Sequence, residues 1–169
     1  MSNRLSGPGR LFLRVAVFAI CGLALGGAPL PGGSPTWRVA GGQAAGNLGA
    51  SVASAGDVNG DGIDDIIVGE PGYDSPATTN PHEGRALVYL GSPLGPSTTP
   101  VWTAEGGYSG FGAVVASAGD VNGDGFDDVI VGEPGYGQVV NVRFELMGRA
   151  VLFLGSPSGP SPTPSWVRL

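Results

Sequence analysis

The nine residues from Asp57 to Asp65, DVNGDGIDD, return 63 positions later, from Asp120 to Asp128, as DVNGDGFDD. Side-chain oxygens at alternate positions, with glycine where the chain must turn sharply, are how a short loop wraps a hard cation such as calcium. In the first copy Asp57, Asn59 and Asp61 stand at loop positions 1, 3 and 5. Gly62 relieves the turn, the backbone carbonyl of Ile63 supplies a further oxygen, and Asp65 closes the shell. In the second copy the same roles fall to Asp120, Asn122, Asp124, the carbonyl of Phe126, and Asp128. The pattern predicts two Ca2+ sites with dissociation constants of about 10⁻⁴–10⁻³ M, the range of extracellular modules. Magnesium fits less well, because it prefers fewer protein ligands and strict octahedral geometry. Asp64 and Asp127 fall out of phase and are expected to face solvent or to lie behind the ligands.

Other uses of such a loop can be weighed on the residues that follow it. An EF-hand needs a bidentate glutamate at position 12, where Val68 and Val131 stand, and a helix, where IIVGEPG and VIVGEPG read as strand and breaker. Dockerin modules open in the same way but continue into a helix. A metal-free turn rich in Asn-Gly and Asp-Gly is the plain structural alternative.

The loops sit inside a longer repeat. From Ala53 to Tyr73 and from Ala116 to Tyr136, 19 of 21 positions are identical. Trp37, Trp102 and Trp166 mark the period, each two residues after a proline. Unit one runs over 34–97 and unit two over 98–161, and 162–169 reads as the opening of a third, incomplete unit. Each unit carries four strand-like runs: Trp37–Ala40, Gly49–Ser54, Ile66–Glu70 and Arg85–Leu90, then Val101–Ala104, Gly112–Ser117, Val129–Glu133 and Arg149–Leu154. Gly/Pro turns (GSPLGP, GSPSGP) and the variable segments 72–84 and 135–148 separate them. No segment has sustained helical periodicity. Four strands per unit at this period predict an all-β fold of β-propeller blades.

The chain resembles FG-GAP repeat proteins, as in the N-terminal propeller of integrin alpha chains. Unit two shows Phe111-Gly112, the acidic loop 120–128, the apolar strand Val129–Val131, then Gly132-Glu133-Pro134. Unit one shows Leu48-Gly49, the loop 57–65, Ile66–Val68, then Gly69-Glu70-Pro71. Leu48 replaces the family's Phe, Glu its Ala in Gly-Ala-Pro, and Asn59 and Asn122 an Asp of the loop. The resemblance implies a calcium-binding propeller and, by analogy with integrins, cell adhesion. The family's propellers have seven blades, whereas two units are present here. The expectation is therefore self-assembly or assembly with other propeller repeats, or else a truncated remnant of a larger propeller protein.

Arg4, Arg10 and Arg14 precede an apolar run from Val15 to Leu25 and then small residues, the pattern of a secretory signal over 1–28, cut between Gly26 and Ser34. The expected location is extracellular, secreted or at the cell surface, with no membrane span after cleavage. Cys21 lies inside the signal, so the mature chain would hold no cysteine and bound ions would take the place of disulfides as staples. Removing the three signal arginines leaves five basic residues against 14 acidic ones, eight of them in the two loops. That balance argues against nucleic acid or an anionic membrane as partner.

No nucleophile motif is present and lysine is absent, which points to a binding or adhesion module without catalysis of its own. An accessory part of an extracellular hydrolase is the enzymatic alternative. Proteins or surface glycans are the expected partners, met through the variable segments 74–83 and 137–147. Glu70 and Glu133 are expected at solvated strand ends, and His82 in an exposed loop. The three tryptophans, with Tyr73 and Tyr136, are expected to pack between units.

Overall fold

The computed structural model describes residues 37–79, 81–107, 110–140 and 143–168. The signal-like segment lies outside them. Ten strands form two four-stranded antiparallel sheets and one hairpin, with no helix among the described residues. The first sheet joins β1 (Ser51–Gly56), β2 (Asp65–Glu70), β3 (Arg85–Tyr89) and β4 (Trp102–Glu105) in chain order. The second joins β5 (Val114–Gly119), β6 (Asp128–Glu133), β9 (Arg149–Phe153) and β10 (Trp166–Arg168) in the same order, and β7 (Gly137–Val140) pairs with β8 (Arg143–Leu146) as a separate hairpin. The expected all-β fold of four-stranded units is the one observed.

Composition explains the layers. β2 (DIIVGE) and β3 (RALVY) are paired on both edges and covered on both faces, so they are rich in β-branched and apolar residues throughout rather than alternating. The β1–β2 register slips between Ser54 and Gly56, where Gly56 takes a φ of 75° and its N–H donates to Ser54 Oγ at 3.1 Å. The bulge recurs at Ser117/Gly119. It ends the strand and aims the chain into the acidic loop, a common use of bulges beside functional loops.

Each sheet straddles the sequence repeat. β4 follows the Gly/Pro turn of unit one and pairs with β3, and β10, from the 162–169 segment, pairs with β9 in the same way. Residues 37–40, expected as a strand, join no ladder among the described residues. Trp37 nevertheless packs edge-on against Tyr89 at 5.4 Å and donates from Nε1 to Ser97 O at 2.8 Å. The β7–β8 hairpin lies within the variable segment 135–148, where no strand is expected.

The main core lies between the two sheets. Ile67, Ala86 and Val88 of the first face Val129, Val131, Val151 and Phe153 of the second. Trp102, on the edge strand of the first sheet, reaches across to Phe153 at 4.9 Å and donates to Ser161 O at 2.9 Å. The Phe-Gly pair sits in this seam. Phe111 is fully buried and its N–H donates to Glu83 O, while Gly112 holds a φ of 83° and its N–H donates to Gly132 O. A side chain at Gly112 would strike the Arg85 carbonyl, so only glycine lets the second sheet come this close. A second cluster (Ile66, Val68, Leu87, Tyr89) covers the other face of the first sheet, under Trp37, Val39 and Leu48.

Candidate metal loops

The two acidic loops are the β1–β2 and β5–β6 connections. In the first, Asp57 accepts the N–H of Asp61 on one carboxylate oxygen and that of Gly62 on the other, at 2.9 and 2.8 Å. Asn59 Oδ1 accepts the Asp61 N–H at 3.1 Å, its amide donates to Asp61 Oδ2 at 2.9 Å, and Asp61 Oδ1 accepts the Ile63 N–H at 2.9 Å. The second loop repeats this: Asp120 accepts from Asp124 and Gly125, Asn122 bonds Asp124, and Asp124 accepts from Phe126. The side chains at positions 1, 3 and 5 are thus gathered at the exposed mouth of each loop.

Position 9 sits differently. Asp65 and Asp128 are buried beneath the loops as the first residues of β2 and β6. Asp65 accepts Val58 N–H at 3.0 Å and Gly91 N–H at 2.8 Å, and Asp128 accepts Val121 N–H at 2.9 Å and Gly155 N–H at 2.8 Å. Each therefore ties the acidic loop to the Gly/Pro turn after the next central strand. Among the described residues no three His, Cys, Asp or Glu side chains close around one point. The donor set is still that of a hard cation: carboxylate and amide oxygens, with a second lone pair remaining on oxygens that accept one N–H. Asp57, Asn59 and Asp61, and their counterparts in the second loop, would hold such an ion from the mouth, with the position-9 aspartate behind them.

Burial pushes the Asp65 carboxyl up to about 6; the bonds from Gly91 and Val58 oppose this, and the nearby Asp61 and Asp57 add to it. The folded chain then holds this proton more tightly than the unfolded one, so the stabilisation is present at low pH and lost as pH rises through about 6. In excess chelator the Asp65 carboxyl, followed by carbon-detected NMR, is expected to titrate near 6. A midpoint near the ordinary value of about 3.9 would refute the burial account.

Several residues do work that their sequence positions conceal. Asp127, out of phase for coordination, accepts the Asp57 N–H on Oδ2 at 2.8 Å, and its own N–H donates to Asp57 O at 2.9 Å. It clamps one acidic loop to the other. Asp64 is exposed, as expected. Glu70 and Glu133, expected at solvated strand ends, are instead fully buried, each bound by an arginine Nε at 2.6 Å, from Arg85 and Arg149. Those arginines lie over the rings of Tyr73 and Tyr136, at 3.8 and 4.2 Å. The tyrosines therefore pack on arginines of their own repeat, not between units. Burial of the Gly-Glu-Pro glutamate follows from β2 and β6 being central strands, where the last residue still lies inside the sheet. An arginine opening the next strand, paired with it in register, was the signal available in the sequence. His82 is exposed, beside Asp74 and Gly72 O.

Two stretches, residues 48–89 and 111–143, match the FG-GAP repeat model. The chain is an FG-GAP repeat protein. It is 36% identical over 137 residues to Integrin alpha-PS2 of Drosophila melanogaster, covering 78% of this chain and 9% of that one. Integrin alpha-IIb of Mus musculus is 40% identical over 139 residues, 79% of this chain and 13% of its own length. Integrin alpha-5 of Xenopus laevis is 35% identical over 134 residues, 78% and 12%. The chain thus spans about a tenth of the length of these relatives. In both repeats the matched stretch contains the acidic loop, the Gly-Glu-Pro motif and the Phe-Gly position or its Leu48-Gly49 counterpart.

Proposed function

We propose that this FG-GAP protein is a secreted or cell-surface recognition module, held in shape by calcium in its two acidic loops and without catalysis of its own. The observation that carries the reading is the β7–β8 hairpin. It interrupts an otherwise closely repeated framework and exposes Val139, Phe144 and Leu146, with Met147 exposed just beyond it. Loops that vary on a rigid β scaffold are where recognition concentrates, and exposed apolar residues grouped on one hairpin suit a protein or glycan partner. Likeness to integrin alpha chains supports adhesion as the setting.

Binding of the chain to arrayed extracellular-matrix proteins and glycans, in calcium and in chelator, tests this. The expected result is a calcium-dependent signal that Phe144→Asp weakens by about tenfold or more, as for a central contact. Signals indifferent to both calcium and Phe144→Asp, or no signal, would overturn the reading.

The calcium claim has its own test. An ion bound only by the native loops stabilises by about 0.4–1.4 kcal/mol per site when calcium stands at roughly one to ten times its dissociation constant. Thermal unfolding followed by circular dichroism is expected to shift upward by several degrees in millimolar calcium, and Asp57→Ala with Asp120→Ala is expected to abolish the shift. Melts of the unsubstituted chain that overlay in calcium and chelator would remove calcium from the account.

A further inference from the structure

The two sheets are near-copies in sequence, yet they are not equally covered. Ile67, Ala86 and Val88 of the first sheet are completely buried, whereas their counterparts Ile130, Ala150 and Leu152 in the second are half-buried. Trp102 is 7% exposed and Trp166 46%; Val58 is 0% exposed and Val121 54%. One cause accounts for every pair: the second sheet covers this face of the first, and no described residue covers the same face of the second. Glycines at the loops agree. A Cβ at Gly56 would collide with Asp127, and one at Gly60 would lie 2.7 Å from the Phe126 ring. At the matching Gly119 and Gly123 nothing lies within 4 Å.

We propose that the face built from Val121, Ile130, Leu152 and Trp166 docks the first sheet of a second copy of this chain, by the operation that already joins the two sheets within one copy. The choice of occupant rests on continuity with that internal interface. The second sheet meets the first through Phe126, Asp127, Val129, Val131, Val151 and Phe153. Every copy carries their counterparts on its first sheet: Ile63, Asp64, Ile66, Val68, Leu87 and Tyr89, apolar for apolar and aspartate for aspartate. Asp64 of the incoming copy is thereby placed to accept the Asp120 N–H, as Asp127 accepts that of Asp57. One exchange is required. Trp37 sits on Tyr89 and Ser97 O as Trp102 sits on Phe153 and Ser161 O, and Val39 packs on the same face, so Trp166 and the strand it opens must replace the whole 37–40 segment of the next copy, Val39 included. Residues 37–40 belong to no ladder, so this replacement breaks no strand pairing among the described residues. The contact is head-to-tail and grows into rings or open chains rather than a two-fold dimer.

Sedimentation equilibrium of the full chain at fixed calcium tests this without any external partner, so it fails or succeeds separately from the recognition role. The unsubstituted chain is expected to form concentration-dependent oligomers. Val121→Arg blocks one end and Asp64→Arg the other. Both sites are on the surface or beside it, and circular dichroism checks that each variant stays folded. Each variant alone is expected to be monomeric, with association weakened at least tenfold. An equimolar mixture of the two should give dimers that grow no further, because each variant keeps one intact end. A chain that stays monomeric throughout, oligomers indifferent to both variants, or a mixture that forms no dimer would each overturn the proposal.

Discussion

Arg85→Ala is expected to cost about 3–5 kcal/mol of stability at neutral pH, far more than loss of a surface ion pair. Glu70 is wholly buried, its Oε2 takes the Arg85 Nε at 2.6 Å, and its Oε1 has no hydrogen-bond partner among the described residues. The arginine is therefore its principal electrostatic compensation. Removing it strands a carboxylate beneath the chain at Gly41 and Gly46, on one face of the first sheet, and also uncovers the Tyr73 ring. Chemical denaturation of the variant is the measurement. The comparison that isolates the cause is Arg85→Met with Glu70→Gln, expected to recover most of the loss, because replacing both members of a buried pair is often nearly neutral. A loss below about 1 kcal/mol for Arg85→Ala would place the pair in the class of exposed salt bridges and refute the account. Arg149 and Glu133 repeat the arrangement in the second sheet at the same distance.

The acidic loops show why one residue can be legible in a sequence and its neighbour not. Asp57, Asn59 and Asp61 are legible because alternation within one loop is a local property, and local hydrogen bonds do gather them. Asp127 was not, because its partner is the Asp57 N–H, 70 residues away, across an interface that no periodicity within one repeat reveals. The same reason hides the grouping of strands. The repeat marked by the tryptophans suggests that each one opens a unit, but the Gly/Pro turn returns β4 and β10 to the strand they have just left. Sequence periodicity gives the length of a repeat and not the point at which it is divided. The β7–β8 hairpin escaped for another reason: it has no counterpart between β2 and β3 of the first sheet, so the repeat gives no sign of it, and Val139, Phe144 and Leu146 are exposed rather than drawn into a core.

The tryptophans give the second large effect, and it depends on which copy is altered. Trp102→Ala should cost about 3–5 kcal/mol, the range for truncating a large buried aromatic. Its ring fills the seam against Phe153 at 4.9 Å, and its Nε1–H is held by Ser161 O at 2.9 Å, so alanine leaves both a cavity and an unmet acceptor. Trp166→Ala, in the same sequence context, should cost the dilute chain under about 1 kcal/mol, because the ring stands 46% exposed on an edge strand of three residues. Denaturant titration at low protein concentration compares the two directly. Equal losses would mean that tryptophan acts through its own strand, by propensity or local packing, and would refute the reading of Trp102 as the staple between sheets. The expected inequality separates those causes because the two local sequences, PVWTAE and PSWVRL, place the ring on the same strand position. What differs is the surface that the ring meets.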